Sequence, residues 1–278
     1  MSEKYVSPDA QARVERLVAE YREQKKALRF LDSNLWVGRP MQPGFCLRWD
    51  LEALLGYMDR YAIEGGIVTH SAAAMEDPYA TNEELLDWIA DQERLWGGLV
   101  VTSELPPGYS TWGDYLDRAI SRKARLVRLF PASHRFSLER WCSGALLDAL
   151  HERRMLLAVW HIETGWNAIK MLCDTYPDLP ILVEGRPQKI VYHNRFFYPL
   201  LERYPNLHLE LHNLNVYLGI EDMVGRFGAE HLVFGSCLPF NDPNTAQMMV
   251  TAARIGDSAK RQIAHGNLQN LLDGVMVP

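Results

Sequence analysis

The sequence has few cysteines, and they show no paired spacing. Only four occur among 278 residues, none in a CxxC pattern, so a disulfide framework is not expected and the pattern favours a reducing compartment. The chain also lacks an apolar run of the 18 or more residues needed to cross a membrane. Its first residues are polar and helical in pattern rather than signal-like, which predicts a cytoplasmic protein.

An excess of positive charge is also missing. The chain has 29 Lys and Arg against 35 Asp and Glu, a formal net charge of −6, and the basic residues are scattered. A nucleic-acid partner is therefore not expected. There is no glycine-rich phosphate loop, which argues against a nucleotide site of the usual kinds. No linker rich in Ser, Gly or Pro divides the chain, which favours one large domain over two smaller ones.

Short apolar runs alternate with amphipathic segments along most of the chain. The runs recur about every 29 residues, the size of one strand–helix–strand step. Thr81 and Glu84 have the spacing of a capping box at a helix start. We predict a single (β/α)8 TIM barrel, with a doubly wound open sheet as the weaker alternative. Strands are predicted at 30–35, 66–69, 98–101, 126–130, 156–160, 181–183, 207–211 and 232–235.

An extra helix is predicted before the first strand. Ser7 can cap it, and Pro8 suits its first position. We divide the chain into an N-terminal helical extension, residues 1–28, and a barrel domain, residues 29–278. Val14, Leu17, Val18 and Tyr21 fall on one face of this helix, and the helix is expected to pack on the outside of the barrel.

Several segments together resemble the amidohydrolase-related (amidohydrolase 2) family of metal-dependent TIM-barrel hydrolases. GAEHLVFGSCLPF at 228–240 and SAKRQIAHGNLQNLLDG at 258–274 resemble the family's last strand and closing helix. The helix signature is carried by Gly266, Asn267, Leu271 and Leu272. DPYATNEELLDWIADQERLWGGLVV, ARLVRLFP and DALHERRMLLAVWH resemble earlier strand–helix units of the family. The resemblance implies the same barrel and descent from a hydrolase.

The chain departs from this family at the metal ligands. The family's first strand carries an H-x-H pair, and the same frame here reads Asn34-Leu35-Trp36. Its strand 8 aspartate is replaced by Cys237, whereas its strand 5 histidine is matched by His161. Its strand 6 ligand falls near Glu184 or Gly185. An indole N–H only donates, and an amide is a poor ligand for transition metals. We therefore expect no cofactor.

Three residues are candidates for catalysis. His161 ends the apolar strand LLAVWH, with a parity that points it inward alongside Val159, and His212 ends HLELH. Either histidine could act as a general base or be a structural relic. Together with Glu184 they could also form a rebuilt zinc site, which is the minority hypothesis.

Five further residues are expected to line the barrel mouth and bind substrate. Arg128 would hold a carboxylate if it points into the barrel, but it could equally pair with a surface acid on the helix side. A cysteine at the position of Cys237 is more often a small packed residue than a nucleophile. Trp36 could narrow the pocket or fill a core gap. The set is Asn34, Trp36, His70, Arg128 and Cys237.

Two classes of function remain open. The first is a hydrolase of the amidohydrolase superfamily that acts on a small carboxylated or lactone-type substrate without the standard metal site. The second is a catalytically inactive barrel that binds a small molecule or a partner. A small anionic ligand is expected in the barrel mouth, and failure to bind one would favour the partner role. A homo-oligomer is compatible with either class.

Overall fold

The polypeptide forms a barrel of eight parallel strands, as the sequence pattern predicts. The computed structural model describes residues 7–39, 48–185 and 190–278. Each strand pairs in parallel with the next strand in the sequence. The strands are β1 Phe30–Val37, β2 Ile63–His70, β3 Leu95–Val100, β4 Ala124–Leu129, β5 Leu156–Trp160, β6 Ile181–Glu184, β7 Leu207–Glu210 and β8 Leu232–Val233.

Hydrogen bonds between β1 and the segment that follows β8 close the barrel. The backbone N–H of Ser33 donates to the carbonyl of Phe234 at 3.1 Å, and the N–H of Trp36 donates to the carbonyl of Leu238 at 2.9 Å. The rings of Phe30 and Phe234 lie 4.5 Å apart across the same junction. A doubly wound open sheet would leave these two strands apart, so that alternative is excluded.

Helices follow the strands and cover the outside of the barrel. No helix in the described parts of the chain is long and apolar enough to cross a membrane. The helices are α1 Pro8–Leu28, α2 Leu51–Tyr61, α3 Pro78–Trp88, α4 Trp112–Ser121, α5 Arg140–Glu152, α6 His161–Thr164, α7 Trp166–Thr175, α8 Asn194–Leu201, α9 Gly219–Phe227, α10 Pro243–Ala252, α11 Asp257–Arg261 and α12 Asn267–Asp273. Short 3₁₀ turns lie at Ser71–Ala74, Ile190–His193 and Ala229–His231, and a π-helical segment at Gln262–Gly266 joins α11 to α12.

The predicted capping box at Thr81 and Glu84 is wrong. Helix α3 begins a turn earlier, at Pro78, where the Asp77 side chain accepts a hydrogen bond from the N–H of Tyr79 at 2.9 Å. Thr81 lies inside the helix, and its hydroxyl donates to the carbonyl of Asp77 at 2.8 Å. Asp followed by Pro is itself a strong helix start, and it precedes the Thr signal in the chain.

Side chains alternate between the two faces of each strand, so the apolar residues form two layers. The outer layer lies between strands and helices and includes Val127, Leu157 and Val159. The second layer lies inside the barrel toward its N-terminal end, and we call it the bottom layer. Its strand residues are Leu31, Ile67, Leu126, Leu156, Ala158, Leu182 and Val233. Fully burying a side chain of leucine size contributes about 1.5 to 3 kcal/mol, so the bottom layer is a substantial source of stability.

The last helix seals the bottom layer. Leu268 and Leu272 of α12 pack into it. The amide of Asn267 donates to the carbonyls of Ala229 and Leu232, each at 2.7 Å, and so fixes α12 to the start of β8. These contacts give a physical reason for Asn267 and Leu272 of the signature.

The N-terminal helix begins as the sequence predicts, with the Ser7 hydroxyl accepting from the N–H of Ala10 at 3.2 Å. Among the residues that the structure describes, only its C-terminal half packs on the barrel, whereas Val14, Leu17 and Val18 are exposed. Tyr21 donates its hydroxyl to the Asn244 side chain on α10 at 3.1 Å, and Leu28 is buried. The division of the chain into an extension and a barrel domain at residue 28 stays a prediction.

Candidate functional site

A buried ion pair occupies the C-terminal end of the barrel interior. Arg128 on β4 and Glu184 on β6 have side chains that are 1% and 0% exposed. Arg128 Nη2 lies 2.8 Å from Glu184 Oε1, and Nε lies 3.3 Å from Oε2. This two-point contact is the strong form of an Arg–carboxylate interaction. Of the two orientations that the sequence left open for Arg128, the structure has the one into the barrel.

The guanidinium of Arg128 has further partners on the first two strands. Nη2 donates to the carbonyl of Ser33 at 2.9 Å, and Nη1 donates to the hydroxyl of Thr69. Gly98 on β3 leaves the room for this arrangement, because a Cβ there would lie 2.8 Å from Nη1. Each nitrogen of the guanidinium is thus bound to a protein atom. A ligand anion would have to compete with Glu184 for it.

Asn34 and Trp36, where the sequence resemblance would place an H-x-H pair, surround the same guanidinium. The indole N–H of Trp36 donates to Asn34 Oδ1 at 2.6 Å, and Arg128 Nη2 lies 3.4 Å from that oxygen. Arg128 Cζ lies 5.1 Å from the Trp36 ring, at cation–π distance. Asn34 Nδ2 is buried and makes no hydrogen bond to the described residues. It is a donor available to a ligand.

The strand parity expected for β5 is wrong by one residue. Val159 belongs to the outer layer, whereas Ala158 and Trp160 face the interior. Trp160 donates its indole N–H to Glu184 Oε2 at 2.7 Å. A strand that is apolar on both faces carries no parity signal, which is why the sequence could not distinguish the two registers.

His161 follows this strand at the start of α6. Its Nδ1 lies 3.4 Å from the carbonyl of Glu184, and its ring stacks on Trp166 with centroids 5.8 Å apart. Burial is the main cause that lowers the pKa of His161 below its usual value, and the hydrogen bond to the Glu184 carbonyl opposes it. Nε2 is buried and has no partner within the described chain. The neutral ring therefore keeps one unpaired nitrogen.

His212 is held by a carboxylate that the sequence analysis did not single out. The backbone N–H of His212 donates to Glu210 Oε1 at 2.9 Å, and Nδ1 donates to Oε2 of the same carboxylate. Glu210 is fully buried at the end of β7. With Nδ1–H bound to the carboxylate, the lone pair of a neutral imidazole is on Nε2. Nε2 is buried and without a partner in the part of the chain that the structure describes.

Asp32 on β1 is a second buried acid that sequence reasoning missed. Its Oδ1 accepts from the backbone N–H groups of Asn34 at 2.9 Å and Ser236 at 3.0 Å. Burial raises the pKa of Asp32 to about 6, opposed by the hydrogen bonds and reinforced by the nearby charge of Glu210. The signal was present in the sequence, because Asp32 and Glu210 are the single acids of β1 and β7.

Two of the predicted mouth residues lie outside this polar group. Cys237, at φ +57°, is fully buried in an apolar cluster with Trp36, Phe130 and Trp49. His70 accepts from the N–H of Ala72 at 3.3 Å.

The side chain of His70 lies on the side of β2 that faces helix α3. Its ring lies 5.1 Å from that of Trp88, and its Nε2 lies 3.9 Å from a Glu84 oxygen, both on α3. Burial lowers the pKa of His70. The structure therefore brings Asn34, Trp36, Arg128 and Glu184 into direct contact and does not bring His70 among them.

The metal site that the family resemblance implies does not fit these residues. Trp36 has no lone pair to offer, and Asn34 directs its oxygen to an indole and a guanidinium. Both oxygens of Glu184 contact N–H donors of Arg128 and Trp160. Across residues 7–39, 48–185 and 190–278, no group of three or more His, Cys, Asp or Glu could hold a metal ion. The alternative zinc set of His161, Glu184 and His212 is not formed in this part of the chain.

Comparison with known proteins gives no match to a family model or to a curated protein. Solved structures do match. A 5-carboxyvanillate decarboxylase from Sphingomonas paucimobilis has a TM-score of 0.71 at 13% identity, over 88% of this chain and 99% of that one. A 2,6-dihydroxybenzoate decarboxylase from Rhizobium has a TM-score of 0.66 at 14% identity, over 88% and 98%.

A third structure is a provisionally assigned 2-pyrone-4,6-dicarboxylic acid hydrolase from Pseudomonas putida. Its TM-score is 0.63 at 15% identity, over 89% of this chain and 98% of that one. At such identities the likeness shows a shared fold. The chain thus shares the (β/α)8 barrel fold of these proteins, which confirms the fold that the sequence resemblance implies.

Proposed function

We propose that this protein is a metal-independent hydrolase of small carboxylated or lactone-type molecules, with His212 as the general base. The pair formed by Glu210 and His212 carries the proposal. The buried carboxylate fixes the Nδ1–H tautomer of the imidazole and leaves Nε2 to accept a proton. Barrels of this kind keep their chemistry at the C-terminal ends of the strands, where both residues lie.

In the proposed step, a water molecule attacks the ester carbonyl of the substrate. His212 Nε2 takes one proton from the water as the new C–O bond forms. The ring C–O bond of the lactone then breaks, and the leaving oxygen receives that proton from His212. Asn34 Nδ2 is the donor that we assign to the developing oxyanion, since it is buried and unpaired among the described residues.

Arg128 supplies a fixed positive charge where the family resemblance would place a metal. Its guanidinium contacts Asn34, where the resemblance would place a strand 1 ligand, and Glu184, near the position of the strand 6 ligand. Direct binding of a substrate carboxylate by Arg128 requires that the carboxylate displace Glu184. His161 is the second candidate base, because its Nε2 is also buried and unpaired within the described residues.

The substrate class is supported by the compounds for which the structurally similar enzymes are named. One is named for a pyrone dicarboxylic acid, a carboxylated lactone, and two are named for carboxylated aromatic rings. A related decarboxylase structure from Polaromonas contains manganese and 2-nitroresorcinol. These ligands are those of the other proteins. The reaction proposed for this chain requires no metal, whereas the Polaromonas structure contains manganese.

Ring opening of a panel of carboxylated pyrones and lactones, followed by absorbance, tests the proposal. The chelator-treated protein is expected to retain full activity, and His212→Gln to lose at least about 100-fold in kcat. His208→Gln, at the other end of β7, is the matched control and is expected to stay active. Activity that disappears with chelator and returns with zinc or manganese would contradict the proposal.

A non-catalytic binding barrel is the second candidate function. The observation in its favour is the completeness of the Arg128–Glu184 pair beneath a fully buried Trp36. A ligand at 100 times its dissociation constant stabilises a protein by about 2.7 kcal/mol, which a thermal-shift screen of small carboxylates would detect. Stabilising ligands that are never turned over, with binding unaffected by His212→Gln, would favour this function over the first.

A further inference from the structure

The first half of helix α1 carries an apolar stripe that is open to solvent. Val14 and Leu17 are each 52% exposed, and Val18 is 40% exposed. Every described side chain from Asp9 to Glu20 is exposed. Short helices without tertiary contacts are only marginally stable in water, so a partner on this stripe would stabilise the helix.

The stripe lies on the same side of α1 as residues nearer its C-terminus that pack against the barrel. On the C-terminal half of the same helix, Lys25 and Leu28 are buried against the barrel. Together the stripe and this face follow alternating steps of three and four residues, which is the spacing of a two-helix coiled coil. The residues in this pattern are Ala10, Val14, Leu17, Tyr21, Gln24 and Leu28.

The charges beside the stripe fit a second copy of the same helix. Arg13 and Glu20 lie on the same flank, one heptad apart. If two α1 helices pair antiparallel with Val14 opposite Leu17, Arg13 of each helix faces Glu20 of the other. A parallel pair would place Arg13 opposite Val18 and would require Lys25, which is already buried on its own barrel, to face Glu20.

We propose that two copies of this chain associate through an antiparallel α1–α1 contact around a two-fold axis. The same patch then serves both subunits, as expected of a two-fold interface. A single helix pair buries less area than the roughly 1,200 to 2,000 Å² of a standard interface, so the dimer should be reversible, with a Kd on the order of micromolar. The proposal does not depend on the catalytic one.

Sedimentation equilibrium over a concentration series tests the dimer. The mass should rise with concentration from the 31.9 kDa of one chain toward twice that value. Leu17→Glu should hold the protein at the mass of one chain. Trp141→Glu changes a residue on α5 that is 82% exposed, and as the matched control it should leave the association unchanged. Circular dichroism checks that each variant is folded.

A charge exchange tests the orientation of the helices. At low salt, Arg13→Glu or Glu20→Arg alone should weaken association about 3- to 10-fold, because each creates two repulsive contacts. The double variant should return to within about 2-fold of the original Kd. A chain that stays monomeric, a dimer that survives Leu17→Glu, or a double variant that is not restored would overturn the proposal. So would a monomer whose stripe binds a different macromolecule.

Discussion

The two ends of the barrel interior are built on the same strands and differ in chemistry. On β4 the interior residue near the bottom is Leu126, and two residues later it is Arg128. On β6 Leu182 is followed in the same way by Glu184. The side chains alternate with period two, so these pairs share one face. The comparison shows that position along a strand, rather than choice of strand, separates packing from candidate chemistry.

The energetic basis of the two ends differs accordingly. The bottom layer is stabilised by apolar burial, so a truncation there leaves a cavity. The mouth holds charges that stabilise only in each other's presence, so a truncation there leaves a buried charge. Substitutions at the two ends should therefore differ in how much they lower the free energy of unfolding, in the pH dependence of that change and in their effect on ligand binding.

The largest expected effect is from breaking the mouth ion pair. Arg128→Met leaves Glu184 buried without its partner and should lower the free energy of unfolding by about 3 to 5 kcal/mol, measured in urea. The double variant Arg128→Met with Glu184→Leu should recover most of this loss. Arg94→Met, at the exposed Arg94–Asp59 pair, is the matched control and should cost less than about 1 kcal/mol. Equal losses at the two pairs would show that the mouth pair is not buried in solution.

A truncation at the bottom should be costly but functionally silent. Leu126→Ala removes a fully buried side chain of the bottom layer and should lower the free energy of unfolding by about 2 to 5 kcal/mol. Any ligand that raises the melting temperature should bind this variant as tightly as the original protein. Loss of ligand affinity in Leu126→Ala would mean that the two ends are coupled.

Asp32 should make the mouth sensitive to pH. Its folded pKa of about 6 exceeds the unfolded value, so its contribution to stability is present at low pH and is lost as pH rises through about 6. Asparagine does not ionise, so the Asp32→Asn variant does not lose this stability as the pH rises. Its stability relative to the original protein should therefore rise by about 2 kcal/mol between pH 4.5 and 7.5, measured in urea at each pH. A difference that does not change with pH would contradict a raised pKa.

The smallest predicted effect concerns one hydrogen bond. Trp36→Phe keeps an aromatic ring beside Arg128 but removes the indole N–H that binds Asn34 at 2.6 Å. The free energy of unfolding should fall by about 1 to 2 kcal/mol, and the Asn34 oxygen becomes available to another donor. Trp88→Phe, on α3, is the corresponding control. A larger fall at Trp88 would show that ring volume outweighs the hydrogen bond.

The sequence was most informative where the pattern is local and repeated. Each of the eight predicted strands is present, because an apolar run bounded by turn residues is a strong local signal. The start of α1 at Ser7 and Pro8 was predicted for the same reason. The start of α3 was missed because two adjacent capping signals competed, and sequence alone did not rank Asp77 above Thr81.

The polar contacts of the mouth depend on tertiary structure and could not be read in the same way. Arg128 and Glu184 are 56 residues apart, and nothing in their neighbourhoods indicates that each is the other's partner. Asp32 and Glu210 were detectable as the single acids of β1 and β7, because an acid in a buried strand usually needs a hydrogen-bonding partner. The roles proposed for His161 and His212 stay predictions until activity is measured.

The positive charge of Arg128 differs from that of a bound metal ion in where it comes from. A divalent ion must be acquired from the surroundings, competes with other ions for its site and can be withdrawn by a chelator. The guanidinium of Arg128 is encoded in the gene and is joined covalently to β4. The positive charge at this end of the barrel is therefore complete as soon as the chain has folded, whatever the metal content of its surroundings.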